Sequence, residues 1–212
     1  HVGVINYKDY AMQEHSAVLD LERGQLADIR PLPWQTDTSV SNRSWGYIKD
    51  DTFKSPQSVV DQLVDIVSKN GNLLLNIPVR GDGTIDDKEL KVVEGIADWM
   101  DVNKECIFGT RPWKVFGEGP ASAGAKLTAQ GMNEGKGKPL TAEDVRFTQK
   151  GSTLYAIVLG APTNGVSIES LGKSAGLLDR EIKKIELLGS GERLQWEQGQ
   201  DALTISQPKN LP

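Results

Sequence analysis

Residues 55–77 read SPQSVVDQLVDIVSKNGNLLLNI, and this stretch decides the fold class. Ser55 is suited to cap a helix whose first turn holds Pro56, a position where the missing N–H costs nothing. Val59, Val60, Leu63, Val64 and Val67 then recur at helical spacing, and Asn70-Gly71 stops the run. The apolar run over residues 72–77 has the compactness of a strand buried on both faces. Arg80-Gly81-Asp82-Gly83 makes a turn. Asp86 and Glu89 then form a capping-box pattern, opening a second helix that would carry Leu90, Val93, Ile96, Ala97 and Met100 inward. Helix, buried strand, loop, helix is the rhythm of a parallel α/β sheet, open or closed into a barrel.

Working outward, residues 2–6 form a short apolar run, and residues 17–21 mix apolar and acidic side chains. Downstream of Pro112-Trp113 the character changes. Residues 117–139 are rich in Gly, Ala and Lys without periodicity and read as a connector. From Val145 onward the signals are β. Val145-Arg146-Phe147 and residues 154–159 flank a hairpin turn at Lys150-Gly151-Ser152, and short runs follow at 166–168, 182–188, 193–196 and 203–205. Such spacing predicts an antiparallel sandwich. The boundary is expected near residue 114, giving an α/β unit over 1–113 and an all-β unit over 114–212.

Composition narrows the chemistry. A chain of 212 residues with 38% hydrophobic and 25% charged residues can bury a real core. A net charge of −5 argues against nucleic acid or an anionic membrane as partner. No stretch approaches the roughly 20 apolar residues that span a bilayer. The chain opens on His1-Val2-Gly3-Val4-Ile5-Asn6, without Met or a leader, which reads as the middle of a strand. Residue 1 is therefore expected to be a processing, cloning or gene-fragment boundary. The single Cys106 excludes an internal disulfide and reads as a small buried hydrophobe. With only His1 and His15, a histidine metal centre is not expected. The sequence has no dinucleotide or P-loop glycine pattern, and residues 82–89 lack the ligand spacing of a calcium loop. No cofactor or metal is expected, and carboxylates must carry any acid/base chemistry.

Three clusters are candidates. Leu21-Glu22-Arg23-Gly24 puts a carboxylate directly after a strand-like run, where a parallel barrel opens its active-site mouth. There Glu22 suits a general acid; on composition alone the plainer reading, a surface carboxylate paired with Arg23 or Arg30, is the stronger. Residues 33–38 with Ser44-Trp45-Gly46-Tyr47 combine aromatic rings and short polar side chains, as a sugar site does, or simply bury a loop. Residues 72–77 read as a core strand, with Asn76 placed to fasten the loop around the pocket through its amide.

Taken in order, Glu22-Arg23-Gly24, Pro33-Trp34-Gln35-Thr36-Asp37-Thr38-Ser39, Ser44-Trp45-Gly46-Tyr47, Gly71-Asn72-Leu73-Leu74-Leu75-Asn76 with Gly81-Asp82-Gly83-Thr84-Ile85, and Gly109-Thr110-Arg111-Pro112-Trp113 resemble the α-L-fucosidases of glycoside hydrolase family 29. The resemblance covers residues 1 to about 113 closely and the remainder more loosely. It implies the C-terminal portion of a (β/α)8-like barrel followed by an antiparallel β-sandwich, and hydrolysis of α-linked L-fucose with retention of configuration. Residue by residue, it implies that Glu22 is the general acid/base and that Trp45 packs on the fucose methyl group. It further implies that Lys8 bonds sugar hydroxyls, with Trp34 and Gln35 also in the substrate site. Some relatives carry Trp-Glu where this chain has Trp34-Gln35, and an amide cannot move a catalytic proton, which favours Glu22.

The family's nucleophile is an Asp in a Trp-x-Asp-Gly-type motif, which these 212 residues do not contain. A retaining pair needs two carboxyl groups about 5–5.5 Å apart. The resemblance thus implies that the nucleophile lies upstream of residue 1, and that a missing N-terminal barrel segment is a partner of this chain. It also implies a fucosylated glycan as ligand and a secreted, periplasmic or lysosomal setting. The competing reading is a non-catalytic carbohydrate-binding protein whose sandwich uses Trp196 and Tyr155 as platforms.

Overall fold

The computed structural model describes residues 3–8, 12–122 and 132–212. Four strands pair in chain order into a wholly parallel sheet: β1 (Asn6–Tyr7), β2 (Val18–Glu22), β3 (Trp34–Ser39) and β4 (Gly71–Asn76). The sheet is open, not closed into a barrel, among the described residues. The apolar run at the start yields a strand only at its end. Val4 and Ile5 are exposed, and Val2 lies outside the described residues.

Two helices cover the sheet. α1 (Pro56–Ser68) begins as the sequence dictates, with the Ser55 hydroxyl accepting from the Ser58 N–H at 3.1 Å and Pro56 in the first turn. α2 (Asp87–Asn103) carries the expected capping box between Asp86 and Glu89. Its inward stripe differs from the expectation, however. Glu89, Val92, Ile96, Trp99 and Met100 face the protein, so Ile96 and Met100 are as expected, whereas Leu90 and Ala97 are exposed. Gly95 explains the shift: a Cβ there would sit 2.6 Å from Pro56, so the helix seats this small residue against the start of α1.

Side chains alternate across the strands. One face carries Tyr7, Leu19, Leu21 and Trp34, packed with Ile66 of α1, and Leu73 joins them. The other face carries Asp20, Glu22, Gln35, Asp37, Asn72 and Asn76, with Leu74 53% exposed among them. β4 is therefore not buried on both faces as its apolar run suggested. Helices cover only one side of it. Trp34 anchors the buried side, donating from its indole N–H to the Lys69 carbonyl at 2.9 Å. Gly71 is required opposite it, because a Cβ would come within 2.5 Å of the indole ring.

The C-terminal unit holds two three-stranded antiparallel sheets. One is β5 (Arg111–Glu118), β6 (Val145–Lys150) and β7 (Thr153–Val158). The other comprises β8 (Val166–Ile168), β9 (Trp196–Gln198) and β10 (Leu203–Ile205), in the order β8-β10-β9. Trp113 and Phe147 meet edge to face at 5.0 Å, and Ile168 and Leu203 of the second sheet, with Leu171 just after β8, close the core. β5 begins at Arg111, three residues before the expected boundary, and runs to Glu118, past the expected start of the connector. Residues 182–188 join no ladder. Ile182 and Ile185 pack on the core while Lys183, Lys184 and Glu186 face water, so the alternation there reflects packing without a strand partner. The run at 193–196 becomes a strand only at Trp196.

Asp65 ties the two units together. Its carboxylate accepts from Lys69 and from the Arg146 Nε, both at 2.7 Å, and all three side chains are buried. Both cations also lie against the ring of Phe116, the Lys69 ammonium 4.6 Å and the Arg146 guanidinium 5.3 Å from its centroid. Burial pushes Lys69 below its ordinary range, with Asp65 only partly offsetting it and Arg146 adding to the drop. Replacing Asp65 by Ala leaves two buried cations unpaired and should destabilise the protein by about 3–5 kcal/mol, measured by urea denaturation. A shift below about 1 kcal/mol, typical of an exposed pair, would contradict this.

Candidate active site

The polar face of the parallel sheet gathers its groups at the C-terminal strand ends. Glu22 closes β2 with an exposed side chain, opposite Asp37 in the parallel register. It makes no hydrogen bond or ion pair among the described residues. Lys8, just past β1, donates to Asp37 at 2.7 Å and lies 3.4 Å from Asp20. Burial acts to lower the Lys8 pKa, but the hydrogen bond and charge of Asp37, together with the charge of Asp20, outweigh it and hold the ammonium above its ordinary value. The second oxygen of each aspartate is buried with no partner among the described residues.

The loop from Val40 to Phe53 presents two aromatic rings. Asp51 holds it. The buried carboxylate accepts from the Ser41 hydroxyl, from the Arg43 Nε at 2.7 Å and from the Thr52 N–H at 2.8 Å. The Ser41 hydroxyl oxygen in turn accepts from the Arg43 and Ser44 N–H groups at 3.0 and 2.9 Å. Asn76, at the end of β4, donates to the Ser39 hydroxyl at 3.0 Å and to the Trp45 carbonyl at 2.9 Å. Trp45 is 38% exposed, with the Arg23 guanidinium 4.8 Å from its ring centroid. Arg80 lies 6.0 Å from the ring of Tyr47.

The structure thus brings Glu22, Lys8 and Trp45 to one edge. Gln35 is on the same face one pleat deeper, in register with Asp20 and Asn72. Trp34 is not there. It is fully buried at the opposite end of β3, among Leu19, Leu21 and Ile66. Adjacent positions on a strand point to opposite faces, so Trp34 and Gln35 cannot share a site. Glu22 is also open to solvent, not sheltered. The platform pair of the competing reading separates as well. Tyr155 packs in the cluster of Val60, Val64 and Cys106, while Trp196 belongs to the other sheet. Burial raises the pKa of Tyr155, with the neighbouring Glu105 adding to the effect, and pushes the Cys106 thiol up to about 12.

Sequence reasoning missed the groups that arrive from far along the chain. Glu134 accepts from the Thr38 hydroxyl at 2.7 Å and pairs with Arg23 and Lys54, each at 3.2 Å. No local signal marks it, since it lies in a glycine-rich stretch 111 residues from Arg23. No group of three or more His, Cys, Asp or Glu suited to a metal occurs among the described residues. No helix among them is long and apolar enough to cross a membrane.

Two family models match the chain: Alpha-L-fucosidase over residues 3–105 and Alpha-L-fucosidase C-terminal domain over residues 138–212. Human tissue alpha-L-fucosidase is 32% identical over 84% of this chain, and human plasma alpha-L-fucosidase 29% identical over 82%. The chain spans about a third of the length of these relatives: 34% and 33%. Among solved structures, one alpha-L-fucosidase aligns with a TM-score of 0.72 at 27% identity, covering 98% of this chain and 42% of that one. The Thermotoga maritima alpha-fucosidase in complex with fucose aligns at 0.70 and 26%, covering 98% and 41%. A parallel α/β sheet with polar groups at its strand ends, joined to an antiparallel β unit, is the class the fold defines. The chain belongs to the α-L-fucosidase family.

The Asp51 junction has a pH signature. Although burial raises its pKa, the Ser41, Arg43 and Thr52 hydrogen bonds and the Arg43 charge hold the carboxyl below the ordinary aspartate range. Its contribution is therefore fully present above that range and is lost as pH falls through the lower folded value. Asp51→Asn should cost about 1.5–3 kcal/mol at pH 7. The gap to the unmodified protein in urea midpoint should close as pH drops below the ordinary aspartate range. A gap independent of pH would reject the assignment.

Proposed function

We propose that this chain carries the acid/base side of a retaining α-L-fucosidase that releases terminal α-linked L-fucose from glycans outside the cytoplasm. The observation that carries the reading is the position of Glu22. It ends a parallel strand, unpaired among the described residues, in register with the Asp37 that holds Lys8 and next to the loop that exposes Trp45. Strand C-terminal ends are where parallel α/β enzymes place their chemistry. In the proposed cycle the Glu22 carboxyl protonates the departing glycosidic oxygen. The carboxylate left behind then takes a proton from the water that opens the fucosyl-enzyme. Trp45 offers an apolar ring to the sugar's C–H face, and Lys8 and Gln35 offer donors to its hydroxyls.

The attacking carboxylate is proposed to come from outside these 212 residues. Asp20 and Asp37 share the polar face with Glu22, but Lys8 pairs with both. A nucleophile held by an ammonium is a poorer one. Residues 1–212 alone are then expected to turn over no aryl α-L-fucoside, and measurable release of the aryl alcohol would contradict this.

The acid assignment is tested by Glu22→Ala in the intact enzyme. General acid catalysis is worth about 10²–10⁴-fold where the leaving group needs the proton. Alkyl fucosides should lose that much in kcat/KM, while a dinitrophenyl fucoside, whose leaving group departs unprotonated, should lose little in the fucosylation step. Equal losses on both substrates would reject Glu22 as the acid.

A further inference from the structure

Among the described residues the Glu22 carboxyl makes no hydrogen bond or ion pair, so its aim there depends on the main chain that carries it. On the strand side, β2 is held between β1 and β3. On the loop side, the next residue is strained: Arg23 has φ 44°, a left-handed conformation that the Cβ of a non-glycine residue disfavours. Such a residue persists only where its surroundings over-determine it.

The surroundings here come from the connector. Asn133 and Glu134 both donate their N–H groups to the Arg23 carbonyl, at 3.1 and 2.8 Å. The Asn133 side chain brackets Gln25, its carbonyl accepting from the Gln25 N–H at 2.7 Å and its amide donating to the Gln25 carbonyl at 2.9 Å. The Glu134 carboxylate, 15% exposed, then takes the Arg23 guanidinium on one oxygen and Thr38 and Lys54 on the other. Arg23 also donates to the Ser41 carbonyl at 3.4 Å and stacks on Trp45. Burial alone would raise the Glu134 pKa, but Thr38, Lys54 and Arg23 together hold it below its ordinary value. One carboxylate thus connects the end of β3, the base of the aromatic loop and the residue after Glu22.

We propose that Asn133 and Glu134 are positioning residues for the reaction: the connector clasps the Arg23–Gln25 turn and, through the Arg23 guanidinium, sets Glu22 and Trp45 relative to one another. This rests on the reading of Glu22 as the acid. Neither residue touches substrate. Their effect is to keep the Glu22 carboxyl, which has no side-chain partner among the described residues, aimed at the leaving oxygen, where a displacement of about 1 Å can cost on the order of 10²-fold.

The test compares Glu134→Ala, Glu134→Gln and Glu22→Ala in the intact enzyme, on methyl α-L-fucoside and on a dinitrophenyl α-L-fucoside. Glu134→Gln keeps the shape and the Thr38 hydrogen bond while removing the charge, so it reports even if Glu134→Ala folds poorly. The expected result is a loss in kcat/KM on the methyl fucoside of about 10–100-fold for Glu134→Ala and about 3–10-fold for Glu134→Gln, with the dinitrophenyl substrate changed less than about threefold. Equal slowing of both substrates by the Glu134 variants, or no slowing of either, overturns the positioning role if Glu22→Ala itself discriminates between the substrates. If Glu22→Ala does not discriminate, the acid assignment fails and the positioning role falls with it.

Discussion

Three charges buried side by side hold the two units of this protein in register. Asp65 on α1 reaches across to Arg146 on β6 while keeping its own helix neighbour Lys69, and both cations rest against the ring of Phe116 on β5. Bringing these ions out of water is costly, and the cost is recovered only if every partner stays in place. The pairing therefore permits one docking of the β unit on the helix. A cavity of about 400 Å³ opens beside the bridge, bordered by Asp61, Ser122 and Leu140. It lies on the helix side, away from Glu22.

The parallel sheet uses its two faces for different purposes. Trp34, Leu19 and Leu21 supply the adhesion to α1, and Gly71 leaves room for the indole. The opposite face spends its positions on Asp20, Asp37, Asn72 and Asn76. Such a face contributes little hydrophobic stability. It is worth having only for what its groups hold or bind, and Lys8 and the Trp45 loop show how: the first is fixed by two carboxylates, the second by the Asn76 amide. The Asp20 and Asp37 oxygens that have no partner among the described residues are further acceptors on that side.

How much of this was legible in the sequence depends on how far apart the interacting residues lie. Ser55, Pro56, Asp86 and Glu89 act within one helical turn, and the helix starts they predicted are those observed. Val145, Phe147 and Leu203 lie within the expected β runs for a similar reason, since a strand's alternation is local. The errors came where a tertiary contact decided between local alternatives. Gly95 against Pro56 rotates α2, and Leu74 is left exposed because helices cover one side of β4 only. Trp34 lies in the same motif as Gln35 yet serves the core, a distinction that period-2 alternation makes only once the strand's buried face is known. Glu134 had no signal at all.

That last residue also explains why an isolated motif is an incomplete description of the site. Glu22-Arg23-Gly24 encodes a carboxylate, a strained turn and a glycine whose N–H donates to the Thr36 hydroxyl at 3.1 Å. A Cβ at Gly24 would press on Leu21 at 2.8 Å, so the turn must be tight. Tightness alone does not hold Arg23 in a left-handed conformation. The two N–H groups of Asn133 and Glu134 satisfy its carbonyl, and the Glu134 carboxylate neutralises its side chain. The turn and the connector are therefore one structural unit assembled from two distant segments.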